Sequence, residues 1–118
     1  MNIDILKNAG IDYDNGVERF SGSDSVYQKF LRMFPDDSSF NNAAKAINEA
    51  NLEEAFNNAH TLKGTAGNLS LTDLYDTASL LVEDLRNKKT DNLPDLLAKV
   101  TESYEKTVKA IQEASADE

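Results

Sequence analysis

The sequence predicts an all-α protein, an antiparallel four-helix bundle with additional short N-terminal helices. Apolar residues recur along the chain at spacings of three and four, the period of an amphipathic helix, and no segment shows the alternation typical of a strand. Short connections separate the predicted helices, and short connections make successive helices antiparallel neighbours. A chain of 118 residues is long enough for one domain with its own core and too short for two.

The predicted helices divide this single domain, residues 1–118, into three parts. Residues 1–22 are expected to form two short helices separated by Gly10. Residues 23–114 are expected to form the core of the helical bundle. Residues 115–118 are expected to be a frayed acidic tail, because chain ends without packing partners are poorly ordered. The initiating methionine and the full set of bundle helices lead us to expect a stand-alone protein.

Capping and turn residues predict the ends of the first two bundle helices. Ser23 can cap a helix that Pro35 ends, because a proline disfavours helical geometry in the residue before it. A second helix is predicted from about Ser39 to Ala50. The residues expected on its core face are Phe40, Ala44 and Ile47.

Three longer helices are predicted to follow. Asn51 can cap the first, with Glu54 three residues later as in a capping box, and Thr72 can cap the second. The third begins near Leu93, with Pro94 in its first turn, where a proline is well tolerated. The core residues expected on the second and third of these helices are Leu74, Ala78, Leu81 and Leu85, then Leu97, Val100, Tyr104, Val108 and Ile111.

Composition excludes several classes of function. The net charge of −9 argues against a nucleic-acid or anionic-membrane partner, because the negative field would repel phosphate-rich surfaces. No apolar run is long enough to span a bilayer, and the start MNIDILKNAG lacks the basic and apolar parts of a secretory signal, so we expect a cytoplasmic protein. The absence of cysteine excludes disulfides, thiolate metal sites and cysteine nucleophiles.

The stretch NNAHTLKGTAGNLSL, residues 57–71, contains His60, the single histidine of the chain. Its predicted helix has one apolar stripe, and at 100° per residue His60 lies roughly 130° from the centre of that stripe. We therefore expect the imidazole to face solvent. The stripe consists of Ala55, Ala59, Leu62, Ala66 and Leu69.

Two glycines and a lysine accompany His60 on this helix. Gly64 lies one turn ahead and Gly67 two turns ahead, although each glycine costs a helix roughly 1 kcal/mol relative to alanine. Their missing side chains would let another macromolecule bring a reactive group close to the ring. Lys63 can direct its ammonium toward an anion attached to His60. These residues fit phosphoryl transfer, because imidazole is a good nucleophile and its phosphorylated nitrogen is a labile linkage.

Plainer interpretations of the same residues stay open at this point. A lone histidine or lysine on a helix is usually an ordinary solvated residue, and Gly67 could simply let a neighbouring helix pack closely. Phe56, one turn behind His60, has an intermediate wheel angle and fits the edge of the core. A metalloenzyme lacks ligands, because the nearest carboxylate on that face is Glu53. A histidine kinase would need a nucleotide-binding domain, for which the chain has no room.

The segment AHTLKGTAGNLSL resembles the signature of histidine-containing phosphotransfer (HPt) domains of bacterial two-component phosphorelays. The resemblance extends over most of the chain and implies a four-helix bundle with added N-terminal helices. It implies that His60 is phosphorylated, that Lys63 stabilises the phosphoryl group, and that Gly64 gives a receiver domain clearance. Ser70 stands where the family commonly has glycine, and Pro35 interrupts a helix that is often continuous.

The resemblance further implies a phosphocarrier without kinase activity of its own. His60 would accept a phosphoryl group from a receiver-domain aspartate and pass it to another receiver. The expected partners are response-regulator receiver domains and a hybrid sensor histidine kinase, and we expect a monomer with no cofactor and no bound metal. The alternative is a helical adaptor that binds a receiver or another signalling protein without being phosphorylated. The expected docking surface consists of Gly64, Gly67, Phe56, Asn57 and Asn68.

Overall fold

The computed structural model describes residues 1–116, so residues 117–118 of the predicted tail lie outside the described part of the chain. Within residues 1–116 the secondary structure is helical, with no strand. A short 3-10 turn, Phe34–Asp36, follows the third helix. The α-helices are α1 Ile3–Asn8, α2 Tyr13–Arg19, α3 Asp24–Met33, α4 Ser39–Asn48, α5 Leu52–Asn68, α6 Thr72–Arg86 and α7 Leu93–Ala114.

Helices α4 to α7 form the predicted antiparallel four-helix bundle. Each packs against the next in the chain, and α7 returns to contact α4, which closes the ring. The connections at residues 49–51, 69–71 and 87–92 are short, as antiparallel neighbours require. Helix α1 packs on α7, while α2 contacts α1 and α3. The prediction of a four-helix bundle with added N-terminal helices is confirmed.

Two helices, α3 and α5, begin at the capping residues that the sequence predicts. The Ser23 hydroxyl accepts a hydrogen bond from the Val26 backbone N–H at 3.2 Å, and Asn51 Oδ1 accepts one from the Glu54 N–H at 3.3 Å. Each satisfies a helix N–H that has no partner within its own helix. Pro35 lies in the 3-10 turn that follows α3, so the predicted interruption is also confirmed.

The predicted core stripes of α5 and α6 are buried in full. Ala55, Ala59, Leu62 and Ala66 of α5 have no solvent exposure, and the residues predicted for α6 are buried with them. Small alanines on α5 let α4 and α6 approach closely on either side, since α5 packs against both. This packing fixes the rotation of α5 and with it the direction of its outer face.

Three details of the sequence prediction are wrong. Thr72 is the first residue of α6 and not its cap, because Leu71, whose side chain is buried and makes no capping hydrogen bond, is the N-cap residue. Helix α4 ends at Asn48, and Ala50 takes a left-handed φ of 57° in the turn. The buried apolar residues of α4 are Phe40, Ala43 and Ala46, with Ala44 and Ile47 only partly buried, because α4 contacts both α5 and α7.

The predicted stripe of α7 is only partly correct. Val100 and Ile111 are buried, whereas Leu97, Tyr104 and Val108 are half-buried. Helix α7 contacts α1, α3, α4 and α6, so a wider face of it is buried than a single apolar stripe would cover. The polar residues Ser103 and Thr107 and the small residues Ala110 and Ala114 are buried there as well.

Candidate functional site

His60 lies on the outer face of α5, near the middle of the helix. Its side chain is exposed, whereas the preceding residue, Ala59, is fully buried between the neighbouring helices. The buried alanine stripe therefore turns His60 outward, as the wheel angle predicts. The imidazole is held on a rigid helix and open to another molecule.

The two glycines near His60 have different surroundings. A Cβ atom added at Gly64 would meet no heavy atom within 4 Å, so the surface one turn from His60 is open. A Cβ added at Gly67 would lie 3.3 Å from two ring carbons of Tyr75 on α6. Gly64 therefore leaves space at the surface, and Gly67 lets an aromatic side chain approach α5.

Lys63 lies on the side of α5 that faces α6. Its Nζ is 5.7 Å from the ring centroid of Tyr75, within the range of a cation–π interaction. Such a contact is worth about 0.5–1 kcal/mol at an exposed site, enough to favour one direction of a flexible side chain. Tyr75 therefore both packs against Gly67 and helps to position the lysine.

Phe56 and Asn57 lie on the N-terminal side of His60. The Phe56 and His60 ring centroids are 5.8 Å apart, and the Arg86 guanidinium carbon is 5.6 Å from the Phe56 centroid. Phe56 is half-buried, so it belongs to the edge of the core and also contacts the imidazole. Asn57 is exposed, and its backbone carbonyl accepts a hydrogen bond from the Thr61 hydroxyl at 3.0 Å.

A cleft of about 480 Å³ runs from His60 toward the turn between α5 and α6. It brings together five of the predicted site residues, and Phe56 and Asn57 lie outside it. Its walls come from α2, α5, α6 and the turn at residues 69–71. The lining residues are Asn15, Arg19, His60, Lys63, Gly64, Ala66, Gly67, Asn68, Ser70, Thr72 and Tyr75.

Sequence reasoning missed Arg19, Asn15 and Tyr75 as parts of this cleft. Asn15 Oδ1 accepts hydrogen bonds from Arg19 Nε at 2.9 Å and from the Ser70 hydroxyl at 2.7 Å. Arg19 therefore reaches the cleft through a side-chain contact between residues distant in the chain. No helical spacing signals such a contact. The one sequence feature that could have drawn attention to this contact is Ser70, which stands where the HPt signature that the segment resembles commonly has glycine.

Ser70 adopts a left-handed backbone with φ of 55°. A non-glycine residue is uncommon there, which gives a physical reason for glycine in the family pattern. The turn is tied down on both sides: the Ser70 carbonyl accepts the Asp12 N–H at 2.9 Å, and the Leu69 carbonyl accepts the Tyr27 hydroxyl at 2.6 Å. Tyr27 is fully buried, and burial raises the pKa of its phenol well above the ordinary value.

A second, apolar groove of about 500 Å³ adjoins the cleft at Asn68, which lines both. Phe30 and Met33 of α3 lie in its wall and are unusually exposed for their size, at 40% and 54%. The exposed surface around the end of α5 is thus cationic on one side of Asn68, and on the other side it is largely apolar with Asp36 and Asp37 in the wall.

Within residues 1–116, no cluster of three or more histidine, cysteine or carboxylate side chains could hold a metal ion. The same part of the chain contains no helix that is both long and apolar enough to cross a membrane.

Comparison with known proteins yields one family. The sequence model of the Hpt domain matches residues 25–114. Neither the curated proteins nor the solved structures give a match. The matched range begins inside α3 and ends with α7, so it contains the whole of α5 and α6 and leaves α1 and α2 outside.

Proposed function

The chain belongs to the Hpt domain family, and from this membership we propose that it is a phosphocarrier that accepts and donates a phosphoryl group at His60. The donor is an aspartyl phosphate of one receiver domain, and the acceptor is the aspartate of another. The observation that carries the proposal is an exposed imidazole, the single histidine of the chain, next to the open surface at Gly64.

The proposed transfer is an in-line displacement at phosphorus. A lone pair of an imidazole nitrogen forms the new N–P bond while the bond between phosphorus and the aspartate oxygen breaks. The aspartate leaves as a carboxylate, and the phosphoryl group resides on the ring. In the second transfer a receiver carboxylate displaces the imidazole, and an N–P bond is exchanged for an O–P bond. Such chemistry depends mainly on positioning and charge neutralisation.

Lys63 has the role of neutralising phosphoryl charge in this proposal. It lies three residues after His60, which places the two side chains near each other on the helix surface. The contact with Tyr75 favours orientations of the lysine on the α6 side of the imidazole, which leave the approach over Gly64 clear.

The proposed docking surface surrounds His60 on the outer face of α5. Gly64 and Asn68 continue this face toward the cleft and the apolar groove, while Phe56 and Asn57 border it on the other side. Gly67 contributes indirectly, because it admits the Tyr75 ring. The partners are receiver domains and a hybrid sensor histidine kinase, and the protein acts as a cytoplasmic monomer without a cofactor.

Phosphoryl labelling of a His60→Gln variant tests the proposal. Receiver domains phosphorylated with radioactive phosphate are mixed with the wild-type protein and with the variant, and label on the chain is followed over time. The wild-type protein should acquire acid-labile, base-stable label, as a phosphorylated imidazole nitrogen does. The variant should acquire none and should keep the wild-type helical content, because His60 is exposed.

Two results would contradict the proposal. Label that persists in His60→Gln would place the phosphoryl group on another residue. A wild-type chain that binds receivers but never takes label would instead favour the adaptor function.

A further inference from the structure

The cleft beside His60 differs in charge from the rest of the molecule. The chain has 21 acidic and 12 basic residues, yet none of the described residues that line the cleft is acidic. Two of them, Lys63 and Arg19, are cations. A region of positive charge on a protein of net charge −9 marks a surface suited to an acidic partner.

Both cations lack a carboxylate partner within residues 1–116. Some other basic side chains in that range form ion pairs, such as Lys7 with Asp14 at 3.2 Å and Arg86 with Glu83 at 3.7 Å. The lysines that are unpaired in that range but do not line the cleft are Lys29, Lys88, Lys89 and Lys99. Arg19 uses Nε to bond Asn15, and its terminal N–H groups form the fork that binds a carboxylate in bidentate fashion. The cleft therefore presents guanidinium charge that the described chain does not neutralise.

We propose that Arg19 is a partner-docking residue that binds a surface carboxylate of the receiver domain while His60 exchanges the phosphoryl group. The inference rests on the proposed function and extends it to α2, which lies outside the range that the family model matches. Asn15 and Ser70 are positioning residues, since they hold the guanidinium at the far end of the cleft.

The position of Arg19 separates its role from that of Lys63. The Asn15 and Ser70 contacts place Arg19 at the C-terminal end of α5. Asn68, at that end, is two turns from His60, roughly 12 Å along the helix axis at 1.5 Å per residue. A phosphoryl group on His60 would lie one helical turn from Lys63, whereas Arg19 is held at the other end of the cleft. Arg19 therefore acts on binding of the partner, and Lys63 on the phosphoryl group.

Kinetics of transfer from a phosphorylated receiver domain test this division. The variants are Arg19→Gln and Arg19→Lys, with Lys99→Gln as a control that removes one exposed positive charge from α7, on the other side of the bundle. Three quantities are measured for each: the apparent dissociation constant for the receiver, the limiting rate at saturating receiver, and the half-life of the isolated phosphorylated form.

Arg19→Gln should raise the apparent dissociation constant by about 3- to 10-fold and reduce its dependence on salt, since one charge contact at an exposed interface is lost. Its limiting rate and its half-life should equal those of the wild-type protein. The apparent dissociation constant of Arg19→Lys should lie between those of the wild-type protein and Arg19→Gln, because an ammonium keeps the charge and loses the bidentate fork. Lys63→Ala, measured beside them, should change the half-life or the limiting rate.

Ser70→Gly tests the positioning of Arg19. Glycine accepts the left-handed backbone at this position but removes the hydroxyl that bonds Asn15. The variant should weaken receiver binding in the same direction as Arg19→Gln and by a smaller factor.

Three outcomes would overturn the inference. An Arg19→Gln variant that behaves like Lys99→Gln would show that Arg19 is an ordinary surface residue while leaving the role of His60 intact. A shortened half-life in Arg19→Gln would place Arg19 at the phosphoryl group and contradict the docking role. A wild-type chain that neither binds receivers nor takes label would refute the proposed function and the docking role together.

Discussion

Gly64 and Gly67 lie on the same side of α5, but the structure gives a different reason for a glycine at each position. Gly64 borders open space, whereas Gly67 has the Tyr75 ring 3.3 Å from where its Cβ would be. Helix propensity alone would favour alanine at both positions by roughly 1 kcal/mol. Packing therefore accounts for glycine at position 67, and access to His60 is the remaining explanation at position 64.

Substitutions at Gly64 should separate stability from function. Gly64→Ala should raise the free energy of unfolding by up to about 1 kcal/mol, because the methyl group enters open space and the unfolded chain loses conformational freedom. Gly64→Gln should fold as well but obstruct a docking receiver, so transfer should fall sharply. Denaturant unfolding and transfer rates are measured on both variants.

Gly67→Ala is the matched comparison for these variants. Its helix-propensity gain is the same, but the new methyl group must displace the Tyr75 ring by a few tenths of an ångström, so it should stabilise less than Gly64→Ala does. A loss of stability in Gly64→Ala, or an unimpaired transfer rate in Gly64→Gln, would contradict the access explanation.

Sequence reasoning at the residue scale succeeded where helical periodicity carries the information. The alternation of buried and outward positions on α5 follows from its apolar stripe, and the stripe alone predicts that His60 is exposed. Arg19 and Tyr75 could not be found in this way, because their places in the cleft depend on how α2 and α6 pack against α5. That packing joins residues far apart in sequence and leaves no local pattern.

At the scale of the elements, the turn between α5 and α6 is held by side chains from helices outside the bundle. Its left-handed Ser70 is bonded to α2, and its Leu69 carbonyl accepts the buried Tyr27 hydroxyl from α3. Two helices outside the four-helix bundle, α2 and α3, thus hold the wall of the cleft that lies beyond Gly67. Capping residues predicted the ends of several helices, but this tertiary anchoring of the turn has no counterpart in a local sequence rule.

The Tyr27 phenol should make the protein sensitive to alkaline pH. Burial raises the pKa of Tyr27 in the folded state, so the folded protein holds this proton more tightly than the unfolded chain. The corresponding stability is fully present below the ordinary tyrosine pKa of about 10 and is lost as the pH rises toward the folded value. The free energy of unfolding of the wild-type protein should therefore fall above pH 10.

Tyr27→Phe provides the comparison. The variant loses the hydrogen bond to the Leu69 carbonyl and should be less stable by about 1 kcal/mol at neutral pH. Its stability should then fall less steeply than that of the wild-type protein above pH 10. Some decline remains, because burial also raises the pKa values of Tyr13 and Tyr104. Parallel curves for the two proteins between pH 7 and 11, measured by urea unfolding, would refute the role of Tyr27.

At the scale of the whole molecule, the N-terminal helices belong to the same hydrophobic core as the bundle. Leu6 is fully buried, and Ile11 and Tyr13 are 2% and 3% exposed. The Asn2 backbone N–H donates to the Ala114 carbonyl at 2.8 Å, which joins the two ends of the described chain. The sequence predicted short helices in residues 1–22, but periodicity in such short segments could not indicate what they cover.

The N-terminal helices should therefore be required for stability, although the family model begins at residue 25. Burying one large apolar side chain contributes about 1.5–3 kcal/mol, so losing Leu6, Ile11 and Tyr13 together removes several kcal/mol from a typical total of about 5–15. A chain of residues 23–118 should melt far below the full-length protein or fail to fold, as measured by circular dichroism. Leu6→Ala should cost about 2–5 kcal/mol in the full chain, whereas Asn8→Ala, an exposed position on the same helix, should cost little. An unchanged melting temperature for residues 23–118 would show that α1 and α2 do not stabilise the bundle. The packing that holds Arg19 of α2 at the cleft would then be too weak to support its docking role.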